Sequence, residues 1–283
     1  MADAIVLVRT RFILLLKAVM RSSRIRHNLN NNLPSLVTTL HFLDEALFEM
    51  TSLMGFDGIW LDLEHHSGSD ETAARMMRAV RCGTSDVVVR PAKGEFLRMG
   101  RLLEAGADAI MYPQCDNAAE AEQLVQWIKF PPMGRRGFDG ANADVPYLSQ
   151  PISEYIAEAN QRNVVIVQIE TAAGLDAVES IAKVPGVDIL MMGPADLSLQ
   201  LGVPGQFEHA LLRDAQHRIA LAAQENHIAW GRPAGSVNQV QQLLDQGAKW
   251  ICFGADIVFV KSALEKMQAD LKPFGFEFKN QLG

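Results

Sequence analysis

Glu170 and Asp196 stand where apolar strands should end, and that placement invites chemistry. The first closes the run Ile166-Val167-Gln168-Ile169-Glu170. The second lies in Met192-Gly193-Pro194-Ala195-Asp196-Leu197-Ser198, just past another apolar run. Short continuous apolar runs read as buried parallel strands. A carboxylate at the end of such a strand is not there for burial, because an unpaired buried charge is expensive. Two carboxylates from successive strands could converge on one divalent cation. Oxygen donors suit Mg²⁺ or Mn²⁺, with Co²⁺ a third candidate. The plainer alternative is that each acid caps the helix that follows it.

Other polar residues stand at comparable places. One apolar run ends Asp62-Leu63-Glu64-His65-His66, another ends in Arg90, and a third ends Gly231-Arg232-Pro233. Each has an ordinary reading by itself. A histidine is often structural, Arg90 could serve an ion pair, Asp62 could bind loop amides, and Arg232 could pair with any surface acid. A histidine, an arginine and two carboxylates at successive strand ends are harder to explain as packing.

Positioning them together requires a particular architecture. From Leu36 onward, strand-like runs alternate with amphipathic ones. Strands are predicted at 36–42, 58–66, 86–91, 108–113, 164–170, 188–192, 228–232 and 250–254. Helices are predicted between them, and a last helix over 258–271. Gly55, Gly106 and Gly247 punctuate helix-to-strand joins. Eight alternations in one chain predict a closed (β/α)₈ barrel, whose reacting groups sit at the C-terminal ends of the strands. No G-x-G-x-x-G follows the first strand, so a dinucleotide-binding open sheet has no support. Residues 130–156, rich in Pro and Gly, read as one long loop, and loops of that length are usually functional.

These segments resemble the HpcH/HpaI aldolase family, the metal-dependent pyruvate-type aldolases that include 2-dehydro-3-deoxyglucarate aldolase. The resemblance is carried by Gly55-Phe56-Asp57-Gly58-Ile59-Trp60-Leu61-Asp62-Leu63-Glu64-His65, Val89-Arg90-Pro91, Gln168-Ile169-Glu170-Thr171 and Gly193-Pro194-Ala195-Asp196-Leu197-Ser198. The loop Pro131-Pro132-Met133-Gly134-Arg135-Arg136-Gly137 adds to it. It implies a barrel assembled as a homohexamer with exchanged terminal helices. It implies a divalent metal held by Glu170 and Asp196, and a 2-oxo acid chelating that metal. Arg90 would face the keto oxygen, and His65 would serve acid–base chemistry paired with Glu104, where the family's usual acid is Asp. Gln168, Gly193, Pro194 and Ala195 would line the substrate together with Arg90. The activity implied is cleavage or formation of a small 2-oxo-4-hydroxy acid from a 2-oxo acid and an aldehyde. A related decarboxylase or CoA-thioester lyase, or a silent oxo-acid-binding barrel, is the alternative.

The totals agree with a globular enzyme. The chain has 283 residues, 48% hydrophobic and 21% charged, with net charge −7. The acidic balance argues against a nucleic-acid partner. Cys82, Cys115 and Cys252 are scattered without a CxxC pair, so a reducing, cytoplasmic setting is expected. Residues 1–34 differ in composition. They hold six Lys+Arg and one acid, a net +5, which leaves −12 on the remainder. Their apolar runs are too short for a membrane span. They are expected to be an extension outside the barrel, with Met20 as a candidate start and 1–19 making few contacts. The barrel with its terminal helix is expected to occupy 35–283.

Overall fold

A computed structural model describes residues 20–282. The expected contacts of residues 1–19 lie outside the described residues. Eight parallel strands pair in chain order and close into a barrel. They are β1 (Ser35–Leu40), β2 (Gly58–Asp62), β3 (Asp86–Arg90), β4 (Ala109–Tyr112), β5 (Val164–Ile169), β6 (Ile189–Met192), β7 (Ala229–Ala234) and β8 (Trp250–Ala255). The helices, in chain order, begin with α1 (Arg24–Asn30), α2 (Glu45–Leu53), α3 (Asp70–Val80), α4 (Phe96–Ala105), α5 (Ala118–Ile128) and α6 (Ile152–Arg162). They continue with α7 (Ala172–Asp176), α8 (Val178–Ala182), α9 (Pro194–Gln200), α10 (Ala210–Glu225), α11 (Val237–Asp245) and α12 (Asp256–Leu271).

Strand alternation divides the core in two. Val37, Trp60, Val88, Met111, Ile166, Met191 and Trp250 fill the barrel interior. Ile59, Leu61, Val87, Val89, Val165, Val167, Leu190 and Trp230 face outward and pack under the helices with Met76, Leu102, Leu124 and Ile219. Leucine, methionine and isoleucine at helical spacing on those helices supply the second half of that layer. Buried apolar residues therefore hold the strands on both faces, and polar residues collect at the strand ends.

The boundary expected at residue 34 is corrected for residues 20–34. Helix α1 forms the floor of the barrel. Ser23 caps it by accepting from the Arg26 amide at 3.0 Å. Asp86 at the base of β3 accepts from Ser23 Oγ at 2.6 Å and from the amides of Arg24 and Ile25 at 3.1 and 2.8 Å. A carboxylate at a helix N-terminus is favoured by the unpaired amides there. Ile25 is fully buried within the interior cluster, where Gly58 leaves space for it: a Cβ at Gly58 would stand 3.0 Å from Ile25 Cδ1. Arg26 closes a two-point ion pair with Asp188 at 2.7 Å. A basic segment is bound to the acidic lower rim, which composition by itself did not reveal.

The long loop also differs from expectation. Its last five residues, 152–156, open helix α6, which runs on to Arg162 and buries Tyr155, Ala159 and Arg162. Barrel helices run opposite to the strands, so the connection from α5 to β5 crosses the N-terminal face. It is fastened there by buried polar contacts. Arg136 pairs with Asp144 at 3.1 Å, Tyr155 Oη donates to Asp144 at 2.6 Å, and Arg162 bonds Asp108. The helix expected over 174–183 is split into α7 and α8 at Ala177. Among the described residues, no helix is long and apolar enough to cross a membrane.

Helix α12 departs from the pattern. It touches mainly β8, β1 and the turn that follows it. Asp256 is its buried residue, while Ile257, Val258, Phe259, Val260, Leu264 and Met267 are exposed. Phe274, Phe276 and Phe278 beyond it are exposed too.

Candidate active site

The parallel register sets Asp62 beside Arg90 at the upper ends of β2 and β3. Arg90 Nε donates to Asp62 Oδ1 at 2.9 Å and Nη2 donates to Oδ2 at 2.7 Å. Glu64 Oε2 lies 3.1 Å from the same Nε. The guanidinium lies over the Trp60 ring, 4.8 Å from its centroid, and its Nη1 donates to Gln168 Oε1 at 3.4 Å. Arg90 is 6% exposed. Burial would lower its pKa, but Asp62, Glu64 and Glu170 more than offset this and keep it charged. The same pairing holds Asp62 below the usual carboxylate range against its own burial.

Glu170 follows β5 and is 1% exposed. Burial, then Asp196 and Glu64, push it up to about 7, against the Gln114 amide and Arg90. Its Oε1 accepts from the Gln114 amide at 2.9 Å, and its Oε2 accepts from Gln168 Nε2. Gly193 passes directly beside it. A Cβ there would collide with Glu170 Oε2 and stand 2.8 Å from Gln168 Nε2, so no side chain fits. Asp196 lies in the first turn of α9, half-buried on the same cavity.

One cavity of about 1320 Å³ gathers these groups. Trp60, His65, Arg90, Gln168, Glu170 and Asp196 line it, as do Gly193, Pro194 and Ala195. It sits at the C-terminal ends of the strands, where barrel active sites form. Its far wall comes from the β6–α10 and β7–α11 connections, including Phe207, His209 and Ser236. The residues to which the resemblance assigned a role therefore share one cavity, with one exception.

Glu104 is that exception. It sits near the C-terminal end of α4, hence toward the opposite face of the barrel. Burial raises its pKa, and the charges that act on it are Arg136, Asp139, Asp144 and Arg101. His65 stands at the upper rim, its side chain 57% exposed, and its carboxylate neighbour is Glu64 at 3.7 Å. The expected His65–Glu104 pair is not formed within this chain, because strand and helix run in opposite directions. His66 turns elsewhere, 4.8 Å from the His41 ring and 3.9 Å from Asp62 Oδ2.

Sequence reasoning overlooked Glu64, Trp60 and Gln114. The spacing Asp62-Leu63-Glu64 was a usable signal, since residues two apart on an extended chain share a face. Gln114 left no such signal. Its φ is 49°, an unusual value for a side-chain-bearing residue. That turn lets its amide reach Glu170 and its side chain donate to Glu64 Oε1 at 3.0 Å. Unusual backbone of this kind clusters at functional sites.

Among the described residues, no group of three or more His, Cys, Asp and Glu side chains forms a complete metal cage. Glu170 and Asp196 supply two hard oxygen donors beside a backbone cradle that Gly193 keeps free of side chain. Two carboxylates with water and substrate completing the shell is a common magnesium arrangement. The residues present fit such an ion.

The family model described as HpcH/HpaI aldolase/citrate lyase matches residues 41–263. A hydroxypyruvate/pyruvate aldolase of Paraburkholderia phytofirmans is 34% identical over 234 residues, covering 81% of this chain and 89% of its own. A 4-hydroxy-2-oxo-heptane-1,7-dioate aldolase of Escherichia coli is 30% identical, covering 78% and 84%. The crystal structure of a family protein from Burkholderia cenocepacia superposes with a TM-score of 0.83 at 29% identity, covering 89% of this chain and all of that one. The family is generally dependent on a divalent metal. The chain belongs to the HpcH/HpaI aldolase/citrate lyase family and is a lyase of the aldolase type.

Proposed function

We propose that the chain cleaves and forms small 2-oxo-4-hydroxy acids, with Glu170 and Asp196 holding Mg²⁺ or Mn²⁺, or Co²⁺ in their place. The single observation that carries this reading is the convergence of Glu170, Asp196, Arg90 and His65 on one cavity. A bound divalent ion supplies Lewis acidity toward the keto oxygen of the oxo acid.

The chain's own residues do the rest. Arg90 presents fixed positive charge where the enolate oxygen develops. Asp62, Glu64 and the Trp60 face hold it in place, so little reorganisation is needed during reaction. Gln168 orients Glu170 and faces the oxo acid with Gly193, Pro194 and Ala195. In the cleavage direction, the C4 hydroxyl must lose its proton, and His65 at the cavity rim takes it. Glu104 contributes from a neighbouring copy, because its own barrel places it on the far face.

The assembly we propose is a homohexamer in which the exposed apolar side of α12 packs on a neighbour. The three cysteines are free, in keeping with a cytoplasmic enzyme acting on small oxo acids and aldehydes without nucleic acid. The test is direct. Purified protein given Mn²⁺ or Mg²⁺ should release pyruvate from 4-hydroxy-2-oxo acids and exchange the methyl protons of pyruvate with solvent deuterium. Absence of both activities would overturn the proposal.

A further inference from the structure

Gln114 holds a left-handed backbone conformation, with φ 49°, that a side chain disfavours. Such a residue keeps that shape only where its surroundings over-determine it. Loops at three successive strand ends do so here. Lys93, in the connection after β3, donates from Nζ to the Gln114 carbonyl at 2.7 Å and to Asp116 Oδ2 at 2.5 Å, with Glu120 Oε2 at 3.4 Å. Asp116 Oδ1 accepts from Thr171 Oγ1 at 2.6 Å, and Thr171 directly follows Glu170. The Cys115 carbonyl occupies the space that Gly174 leaves by having no side chain. Lys93 thus closes a clasp over the turn, joining the β3–α4, β4–α5 and β5–α7 connections. Burial lowers its pKa, but Asp116 and Glu120 more than offset this and keep it charged. The Lys93 and Asp116 side chains are 32% and 35% exposed. An ion pair that open to water adds little to global stability, so the effect of the clasp is local.

With the turn fixed, Gln114 addresses two carboxylates of the site. Its backbone amide donates to Glu170 Oε1 at 2.9 Å, while Gln168 Nε2 donates to Oε2. Both oxygens of Glu170 are therefore held by donors, and each keeps a lone pair for a cation. The Gln114 side chain donates from Nε2 to Glu64 Oε1 at 3.0 Å, and Glu64 Oε2 lies 3.1 Å from Arg90 Nε. A turn that merely joined β4 to α5 would need neither contact, and glycine would adopt this φ at no steric cost.

We propose that Gln114 is a positioning residue with two separable roles, and that Lys93 is the clasp that keeps it in place. The Gln114 amide orients Glu170 toward the divalent ion. The Gln114 side chain holds Glu64 beside Arg90, where the enolate oxygen develops. Groups that orient a metal ligand without touching the ion govern its affinity, and losing one costs about 10–100-fold. This inference rests on the reading of Glu170 as a metal ligand.

The experiment measures Mn²⁺ affinity of the full-length protein from the spin-resonance signal of free Mn²⁺, beside retro-aldol kcat and the urea midpoint. Gln114→Gly keeps the amide in a turn that glycine adopts freely and removes the side chain. It should leave the Mn²⁺ Kd within about twofold while lowering kcat about tenfold. Gln114→Val, β-branched and opposed to a positive φ, should raise Kd about 10–100-fold. Lys93→Met should raise Kd about tenfold with the urea midpoint unchanged. Lys93→Arg, which keeps a cationic donor, should recover most of that loss. The two lysine variants decide the question if Gln114→Val does not fold. Equal Kd in Gln114→Gly and Gln114→Val overturns the role of the amide, and an unchanged kcat in Gln114→Gly overturns that of the side chain. Wild-type Kd in Lys93→Met overturns the clasp. Glu170→Gln is the control. Wild-type Mn²⁺ affinity in that variant would remove Glu170 from the ligand set and overturn the reading on which the inference rests.

Discussion

Arg90 holds both carboxylate oxygens of Asp62, at 2.9 and 2.7 Å, because the two residues face one another across the β2–β3 ladder. The cation of the site is therefore positioned by strand register and not by a loop. Both side chains are nearly inaccessible, at 7% and 5%. Removing one partner strands the other charge, and breaking a buried pair costs about 3–5 kcal/mol. Asp62→Ala should lower the urea midpoint accordingly, with m unchanged. Glu64 remains beside Arg90 in that variant, so Glu64→Ala added to it, which leaves the buried cation with neither acid, should cost more than the two single changes combined. An unaltered midpoint in Asp62→Ala would contradict the structural account of Arg90.

Glu170 predicts a pH dependence. Burial pushes it up to about 7 in the metal-free protein. The ordinary glutamate value is about 4.3. The sign follows from linkage. The folded state binds this proton more tightly than the unfolded chain. The group's contribution is fully present below the ordinary value and is lost as pH rises through about 7. Metal binding requires the ionised form, so the ion and the proton compete. Calorimetric Mn²⁺ affinity should rise about tenfold per pH unit below 7 and level off above it. Glu170→Gln should bind Mn²⁺ poorly at every pH while folding normally. An affinity independent of pH from 5 to 8 would remove Glu170 from the ligand set.

Much of this arrangement was legible before the structure. Apolar runs at regular intervals gave the eight strands, and the strand ends pointed to His65, Arg90, Glu170 and Asp196. The residues that escaped did so for physical reasons. Gln114 acts through a positive φ, and nothing in a glutamine announces that conformation. The floor helix α1 has one fully buried apolar residue, Ile25, so its periodicity is faint; hydrogen bonds to Asp86 and ion pairs with Asp188 and Asp57 hold it in place. Glu104 was placed by likeness and not by geometry, and the antiparallel course of α4 takes it away from His65.

Helix α12 predicts an assembly that single-site changes can dismantle. Val260 and Leu264 are four residues apart and both about half exposed, at 45% and 51%. Residues at that spacing share one helix face. Introducing glutamate at both should place unpaired charge in an apolar contact, which is costly to desolvate. Light scattering of the wild-type protein at micromolar concentration should give an oligomer, and Val260→Glu with Leu264→Glu a smaller species. A wild-type monomer would refute the assembly.

His65 and Glu104 connect that assembly to catalysis. His65→Ala should reduce retro-aldol turnover by about 10²–10⁴-fold, the usual loss for an acid–base group. His66→Ala should be mild, because His66 turns toward His41 and does not line the cavity. Glu104 cannot reach His65 in its own barrel, so any catalytic contribution must cross an interface. Subunit mixing tests this. A co-expressed oligomer of His65→Ala and Glu104→Ala chains contains interfaces where an intact His65 meets an intact Glu104 from the other chain. If the pair forms between subunits, the mixed oligomer should recover a substantial share of wild-type turnover, although each variant alone is impaired. If Glu104 serves only its own chain, mixing should recover nothing. If Glu104→Ala alone is fully active, Glu104 is a lower-rim residue that only feels the charges of Arg136 and Arg101, and the nearby carboxylate that serves His65 is Glu64.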